Sequence, residues 1–319
     1  MTSSAPNSIA TTVPDYVATL LGIISERNPT HQKHLDSVLP RITQEELDRL
    51  EKYLVFCVQQ DLTLEYLADC YLVLVADAVN ELMYFTRHGE YRYSTFEEVA
   101  NLVYFNEEYM NQYMHGLAIS LIFWTSHLET HRFFNKVLPR DHRGDYLEIG
   151  PGHGTFLMTA MQESAYDQFR GIDISETSIA QTKAILGHFI PESDRNCALI
   201  VQDFFASDMP KNSFDAIVMG EVLEHVENPK PFLDKIYELA KDDAFVFITT
   251  CVNAPQLDHI YLFRTLDEVA DMLHRANFEI KDLKPIPYEG KTLEECVTQQ
   301  LPINVAYVLT KRHLPLESA

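Results

Sequence analysis

The sequence predicts an α/β protein: a doubly wound parallel sheet covered by helices on both faces, preceded by an all-α unit. Three observations carry this. Between Pro14 and Lys136 apolar residues recur at helical spacing, and no convincing strand pattern is found. After Leu138-Pro-Arg-Asp-His-Arg-Gly144, short apolar runs alternate with helix-length segments. Three of the chain's eleven glycines fall within five residues, Gly150-Pro-Gly-His-Gly154, directly after the first of those runs.

The elements follow in order. Residues 1–13 are rich in Ser, Thr, Ala and Pro and read as a mobile tail. Residues 14–143 form the helical cap. Thr43-Gln-Glu-Glu46 has capping-box spacing before LDRLEKYLVFCV, and Ser94-Thr-Phe-Glu97 repeats it before EVANLVYF. Between them an apolar helical pattern runs to Gly89, and one long helix is expected from about Asn106 to Asn135. Residues 144–319 hold seven short runs: YLEIG (146–150), FRGIDI (169–174), ALIVQ (198–202), FDAIVM (214–219), AFVFITT (244–250), FEIKDL (278–283) and NVAYVLT (304–310). Successive strands separated by helices make a parallel sheet. The last two, joined by a turn-rich segment, are expected to form an antiparallel hairpin.

Composition excludes some functions. The 319 residues include 47 acids and 25 bases, a formal charge of −22. Such a chain repels a phosphate backbone and an anionic membrane surface, so no nucleic-acid or membrane partner is expected. Five cysteines without a CxxC spacing argue against a disulfide framework or a structural zinc site. The N-terminus lacks the pattern of a secretory signal, and the uncharged stretch Tyr109–Leu128 is too polar for a membrane span. A soluble, cytoplasmic protein is expected, with its oligomeric state not legible.

The chemistry concentrates at the ends of the strands. A glycine loop between a strand and a helix lets backbone approach a ligand, and the helix N-terminus presents free N–H groups. Glu148 stands two places before Gly150, where a dinucleotide fold keeps an apolar residue. An acid there repels a pyrophosphate but suits an ammonium or sulfonium group. Asp173 closes the second strand, where ribose hydroxyls are held. Asp203-Phe-Phe205 follows the third, an acid and an aromatic suited to an adenine. The fourth opens into Gly220-Glu-Val-Leu-Glu-His-Val-Glu-Asn-Pro229.

With YLEIGPGHGTF (146–156), GIDIS (171–175), QDFF (202–205) and FDAIVMGEVLEHVENP (214–229) in this order, the C-terminal 175 residues or so resemble class I S-adenosylmethionine (SAM)-dependent methyltransferases of the ubiquinone-biosynthesis O-methyltransferase-like small-molecule group. The resemblance implies a Rossmann-like sheet and a SAM cofactor. Position by position it implies that Glu148, Gly150, Gly152 and Gly154 cradle the methionine part. Asp173 would take the ribose diol and Ile174 the adenine edge. Asp203 would accept from the adenine N6, Phe204 would line the ring, and Gly220 and Glu221 would lie beside the sulfonium. It implies transfer of a methyl group to a small molecule, in natural-product biosynthesis. A second reading is a SAM-using enzyme that cyclises the aminocarboxypropyl arm, of azetidine-2-carboxylate synthase type. A protein methyltransferase is a third. The resemblance does not reach residues 1–140, which would decide the substrate.

Candidate catalytic bases are His225, after the fourth strand, and His259, after the fifth. Each is equally readable as a structural histidine. Glu221, Glu224 and His225 form an ExxEH pattern that would share one helical face. Some relatives bind a divalent metal with such a triplet; for this chain a metal is possible but not favoured. His127 and His131, one helical turn apart, lack an identifiable third ligand for zinc, and His153 suits a helix cap. Residues 91–134 hold eleven aromatics, including Tyr113 and Trp124. Most are expected in the core, and some as a lid over the sheet edge. Tyr113 is a candidate at the reaction centre, and His115 and Trp124 are candidates for substrate binding.

Overall fold

The computed structural model describes residues 12–312. Most of the predicted tail, residues 1–11, lies outside the described residues. Seven helices come first: α1 (Asp15–Arg27), α2 (Gln32–Val38), α3 (Gln44–Gln59), α4 (Leu64–His88), α5 (Phe96–Ala100), α6 (Glu107–Phe123) and α7 (Thr125–Val137). Then strands and helices alternate: β1 (Asp145–Ile149), α8 (Thr155–Glu163), β2 (Gln168–Asp173), α9 (Glu176–Phe189), β3 (Cys197–Val201), β4 (Phe214–Met219), α10 (Pro229–Leu239), β5 (Ala240–Val252), α11 (Leu266–Arg275), β6 (Phe278–Pro287), α12 (Leu293–Gln299) and β7 (Ile303–Lys311).

The sheet order is β3-β2-β1-β4-β5-β7-β6. β1 to β5 are parallel, and β7 runs antiparallel between β5 and β6. The chain reverses its winding at β1, so β1 and β4 part at their carboxyl ends and leave a crevice there. One sheet face carries Leu147, Ile149, Ile217 and Met219 against α10 and α11. The other carries Tyr146, Ala216, Val218 and Phe247 against Phe133 and Phe134 of α7 and against α8. Both faces are apolar, as a sheet covered on both sides requires.

Thr43 and Glu46 make the expected capping box. The second box lies one residue later than expected: Thr95, with Glu98, caps α5. The expected long helix is two. Trp124 takes an extended conformation (φ −107°, ψ 122°) and separates α6 from α7 without a proline or glycine. Tertiary packing makes the break: α6 stays in the cap, whereas α7 turns to seat Phe133 and Phe134 on the sheet. The cap core is continuous with the second half, since Ile185, Met158 and Phe189 pack into it.

Candidate active site

A cavity of about 690 Å³ lies at the carboxyl edge of the sheet, roofed by α4, α6 and the segment before α6. That size suits a small-molecule ligand, for which pockets run roughly 300–1,000 Å³. On its floor are Ile149, Gly150, Gly152, Asp173, Ile174, Asp203, Phe204, Gly220 and Glu221. Leu74, Met110, Tyr113, Met114, Leu117, Leu121 and Trp124 form the apolar roof. No Lys or Arg lines it, whereas Asp173, Asp203, Glu221, Glu227 and Asp258 do.

The glycine loop is shaped for a ligand. Gly152 has φ +55°, and a Cβ built there would meet nothing within 4 Å, so the loop turns bare backbone toward the cavity. Gly154 does not line the cavity; its missing Cβ admits Thr182 of α9. His153 caps α8: its Nδ1 accepts from Thr155 N at 3.3 Å and lies 2.6 Å from Thr155 Oγ1. Asp173 is fixed by two donors, Ser175 N at 2.9 Å and Ser178 Oγ at 2.9 Å. Asp203 accepts from Phe205 N at 2.9 Å.

Besides Gly154, two expected site residues lie elsewhere. Glu148 is 2% exposed and does not line the cavity. Strand alternation points it to the Tyr146 face, where the Tyr146 hydroxyl donates to it at 2.7 Å. Burial pushes its carboxyl up to about 8. His115 also points away from the cavity. Two residues from Tyr113 is about 200° around a helix, so when Tyr113 faces the cavity His115 turns to Tyr53, whose hydroxyl is 2.7 Å from its Nδ1. Tyr113 and Trp124 are both at the cavity wall. The Trp124 indole donates to the Tyr71 hydroxyl at 3.2 Å, and the Tyr113 hydroxyl has no hydrogen-bond partner among the described residues. His127 lines the cavity beside Ser120, while His131 is buried against Thr159 and Arg49, so the two do not form a zinc pair.

The ExxEH segment is not helical throughout. Glu221 has φ +50°, and only Leu223–His225 form a 3₁₀ turn. The structure joins His259 to it. Ligand atoms of Glu224, His225 and His259 lie within 4.8 Å of one another, and those of Glu221, Glu224 and Cys251 form an overlapping group. Each histidine is held by Nδ1. His225 Nδ1 lies 3.1 Å from Asp258 Oδ2 and 2.9 Å from the Tyr104 hydroxyl. His259 Nδ1 donates to the Ala254 carbonyl at 2.6 Å. Both Nε2 atoms are thereby left for other partners, and that of His225 is 3.9 Å from Glu224 Oε1. Glu224 is fully buried. Its Oε2 accepts from Thr250, but its Oε1 has no hydrogen-bond partner among the described residues.

Burial works against charge on His225, but the Asp258 carboxylate outweighs it and lifts the imidazole to about 9. Burial and the neighbouring His225 press His259 down to about 3. Burial, then Glu221, pushes Glu224 well above the usual carboxyl range. A buried carboxylate with an orphaned oxygen and two imidazole nitrogens within reach of it, with both rings oriented by outer partners, fit a divalent cation. Sequence spacing pointed to three of these residues as ligands and to His259 only as a base. Asp258 and Tyr104, which orient His225, were missed as participants.

The sheet order with its antiparallel β7, the glycine loop and the acids ending β2 and β3 define a class I SAM-dependent methyltransferase fold. Residues 147–246 match the family model described as a methyltransferase domain, a match that covers less than half of the chain and supports the class I SAM-dependent methyltransferase superfamily. A ubiquinone biosynthesis O-methyltransferase from Dictyostelium discoideum is 25% identical over 185 residues, covering 50% of this chain and 57% of that one. Another, from Nitrosospira multiformis, is 28% identical over 167 residues, covering 51% and 66%. The match thus spans little more than half the length of the first relative. A solved structure of Haemonchus contortus phosphoethanolamine N-methyltransferase 2 in complex with S-adenosyl-L-methionine aligns with a TM-score of 0.52 at 14% identity. It covers 70% of this chain and 61% of that one, a likeness of fold alone.

Proposed function

We propose that the protein transfers a methyl group from SAM to a hydroxyl of a small, apolar acceptor that carries no anionic group. The observation that supports this is one continuous cavity joining the glycine loop, Asp173 and Asp203 to His225 and His259, with Glu224 of their cluster buried behind them, under an apolar roof. The O-methyltransferase relatives support oxygen as the acceptor atom. The absence of Lys and Arg from the lining disfavours a phosphate or carboxylate on the acceptor. Natural-product biosynthesis is the setting we favour. The cytoplasm is the compartment we favour, in keeping with five free cysteines among the described residues. No described helix is long and apolar enough to cross a membrane.

When bound, SAM supplies a methyl group already electrophilic on its sulfonium, and a divalent metal supplies a Lewis acid that lowers the pKa of the acceptor hydroxyl. The protein's part is placement. Asp173 holds the ribose diol, Asp203 and Phe204 the adenine, and Gly150 and Gly152 leave room for the methionine arm. Glu224, His225 and His259 would hold the metal, with Glu221 beside them in the overlapping group. In this reading the two histidines are ligands, since each has one ring nitrogen tied back and the other free. Tyr113 orients the acceptor through its free hydroxyl, and Trp124 packs on its apolar part. Alignment of hydroxyl, methyl and sulfur in line supplies much of the rate.

The roof reaches Leu74, Met110 and Leu121, beyond the residues assigned to SAM, which leaves room for an acceptor and weighs against cyclisation of the cofactor's own arm. The test is incubation with SAM and Mg²⁺, with and without a panel of phenols, followed by mass spectrometry. S-adenosylhomocysteine that forms only with an acceptor supports the reading. Thiomethyladenosine formed from SAM alone overturns it in favour of cyclisation.

A further inference from the structure

The cap reaches the metal-type cluster at one point. Residues 95–106 cross the cavity mouth as the five-residue α5 and a series of turns. Leu102 and Phe105 of this segment are 43% and 59% exposed, so part of it is loosely covered. Three hydrogen-bond contacts tie it to the second half of the chain. Phe96 N donates to Glu227 Oε1 at 2.9 Å, and the Tyr104 hydroxyl donates to Asp258 Oδ2 at 3.0 Å. Tyr104 also lies 2.9 Å from His225 Nδ1, and its ring stacks on Phe96 with centroids 5.6 Å apart. Asp258 is 1% exposed, and its Oδ1 has no partner among the described residues. Its orientation therefore rests on His225 and Tyr104.

We propose that Tyr104 is a positioning residue that couples closure of the 95–106 segment to assembly of the divalent-metal site. This rests on the metal reading of Glu224, His225 and His259. With the segment docked, Tyr104 fixes the Asp258 carboxylate, and Asp258 holds the His225 ring with Nε2 toward Glu224. With the segment lifted, Asp258 loses one of its two anchors and His225 is freer to turn. Outer partners of a metal ligand set its orientation, and their loss typically lowers metal affinity by roughly 10- to 100-fold. Linkage is reciprocal, so a bound metal must favour the docked segment by the factor that docking favours the metal. The site is then complete only beneath the docked segment, where water is excluded from the acceptor.

The test uses the full chain and Mn²⁺ without SAM or acceptor. Mn²⁺ affinity is measured by electron paramagnetic resonance titration, and amide exchange of residues 95–106 is followed with and without Mn²⁺. The expected result is roughly 10-fold or weaker Mn²⁺ binding by Tyr104→Phe, measured well below the variant's metal-free melting temperature so that the folded chain is compared. Mn²⁺ should slow exchange across the segment in the parent chain and not in the variant. Unchanged affinity and unchanged protection in Tyr104→Phe overturn the coupling and leave the metal reading intact. If the parent chain binds no Mn²⁺, or Glu224→Gln binds it equally well, the metal reading itself falls, and the coupling with it.

Discussion

Asp173 and Glu148 show how differently two nearby acids are used. Asp173 ends β2 with both oxygens engaged by Ser175 and Ser178, which holds the carboxylate at the cavity edge. Replacing it with alanine should weaken SAM binding roughly 10- to 100-fold in calorimetry, the scale of hydrogen bonds to a charged group. Unchanged affinity would remove the ribose assignment. Glu148 answers to pH instead. Its folded pKa is raised from 4.5 to about 8, so the protonated form stabilises the fold. That contribution is complete below the unfolded value and is lost as pH rises toward and through about 8, at roughly 1.4 kcal/mol per unit. Urea unfolding should show the parent chain losing stability between about pH 5 and 8 relative to Glu148→Gln. Parallel pH curves would sink this account. Asp173 was legible because strand ends recur at fixed places in a wound sheet. The burial of Glu148 was not, because motif position does not say which sheet face a side chain takes.

At the scale of elements, the cap depends on one close crossing. A Cβ on Gly116 of α6 would lie 2.6 Å from the Cys70 carbonyl oxygen of α4. Backbone cannot yield as a side chain can, so Gly116→Ala should cost about 1–3 kcal/mol by overpacking. Equal urea midpoints for the two chains would show that the helices separate freely. The break at Trp124 has a different cause and was invisible in the sequence. Nothing local interrupts the helical pattern there. Two competing apolar surfaces, the cap core and the sheet, each claim one half of it. The capping boxes were legible because their signal is local, and the error of one residue at Thr95 is the scale on which neighbouring Ser and Thr compete for a cap.

At the scale of the molecule, the cap is not a detachable lid. Met158, Ile185 and Phe189 belong to the second half in sequence but pack into the cap core. A chain shortened to residues 124–312 exposes them and should bind a hydrophobic dye and unfold without cooperativity. A sharp two-state transition in the shortened chain would contradict this. The parallel sheet and its antiparallel end were legible from the alternation of runs and helices, whereas the cluster under the cap was not. Its histidines lie 34 positions apart, and Tyr104 lies more than 100 from either. Only the reversal of winding at β1 and the fold of the β5–α11 loop bring them together.

The place of β7 sets a schedule for the chain's birth. β6 has β7 as its sole neighbour in the sheet, and β7 is made after it. At roughly 5–20 residues per second, β7 is completed on the order of seconds after β6, and until then β6 and the same side of β5 lack their partner. Only when residues 303–311 emerge does one strand insert and close both. A ribosome that stalls or stops before Ile303 therefore releases a chain with two unpaired strands. Such products are expected to be the sticky ones, however complete their cofactor loop.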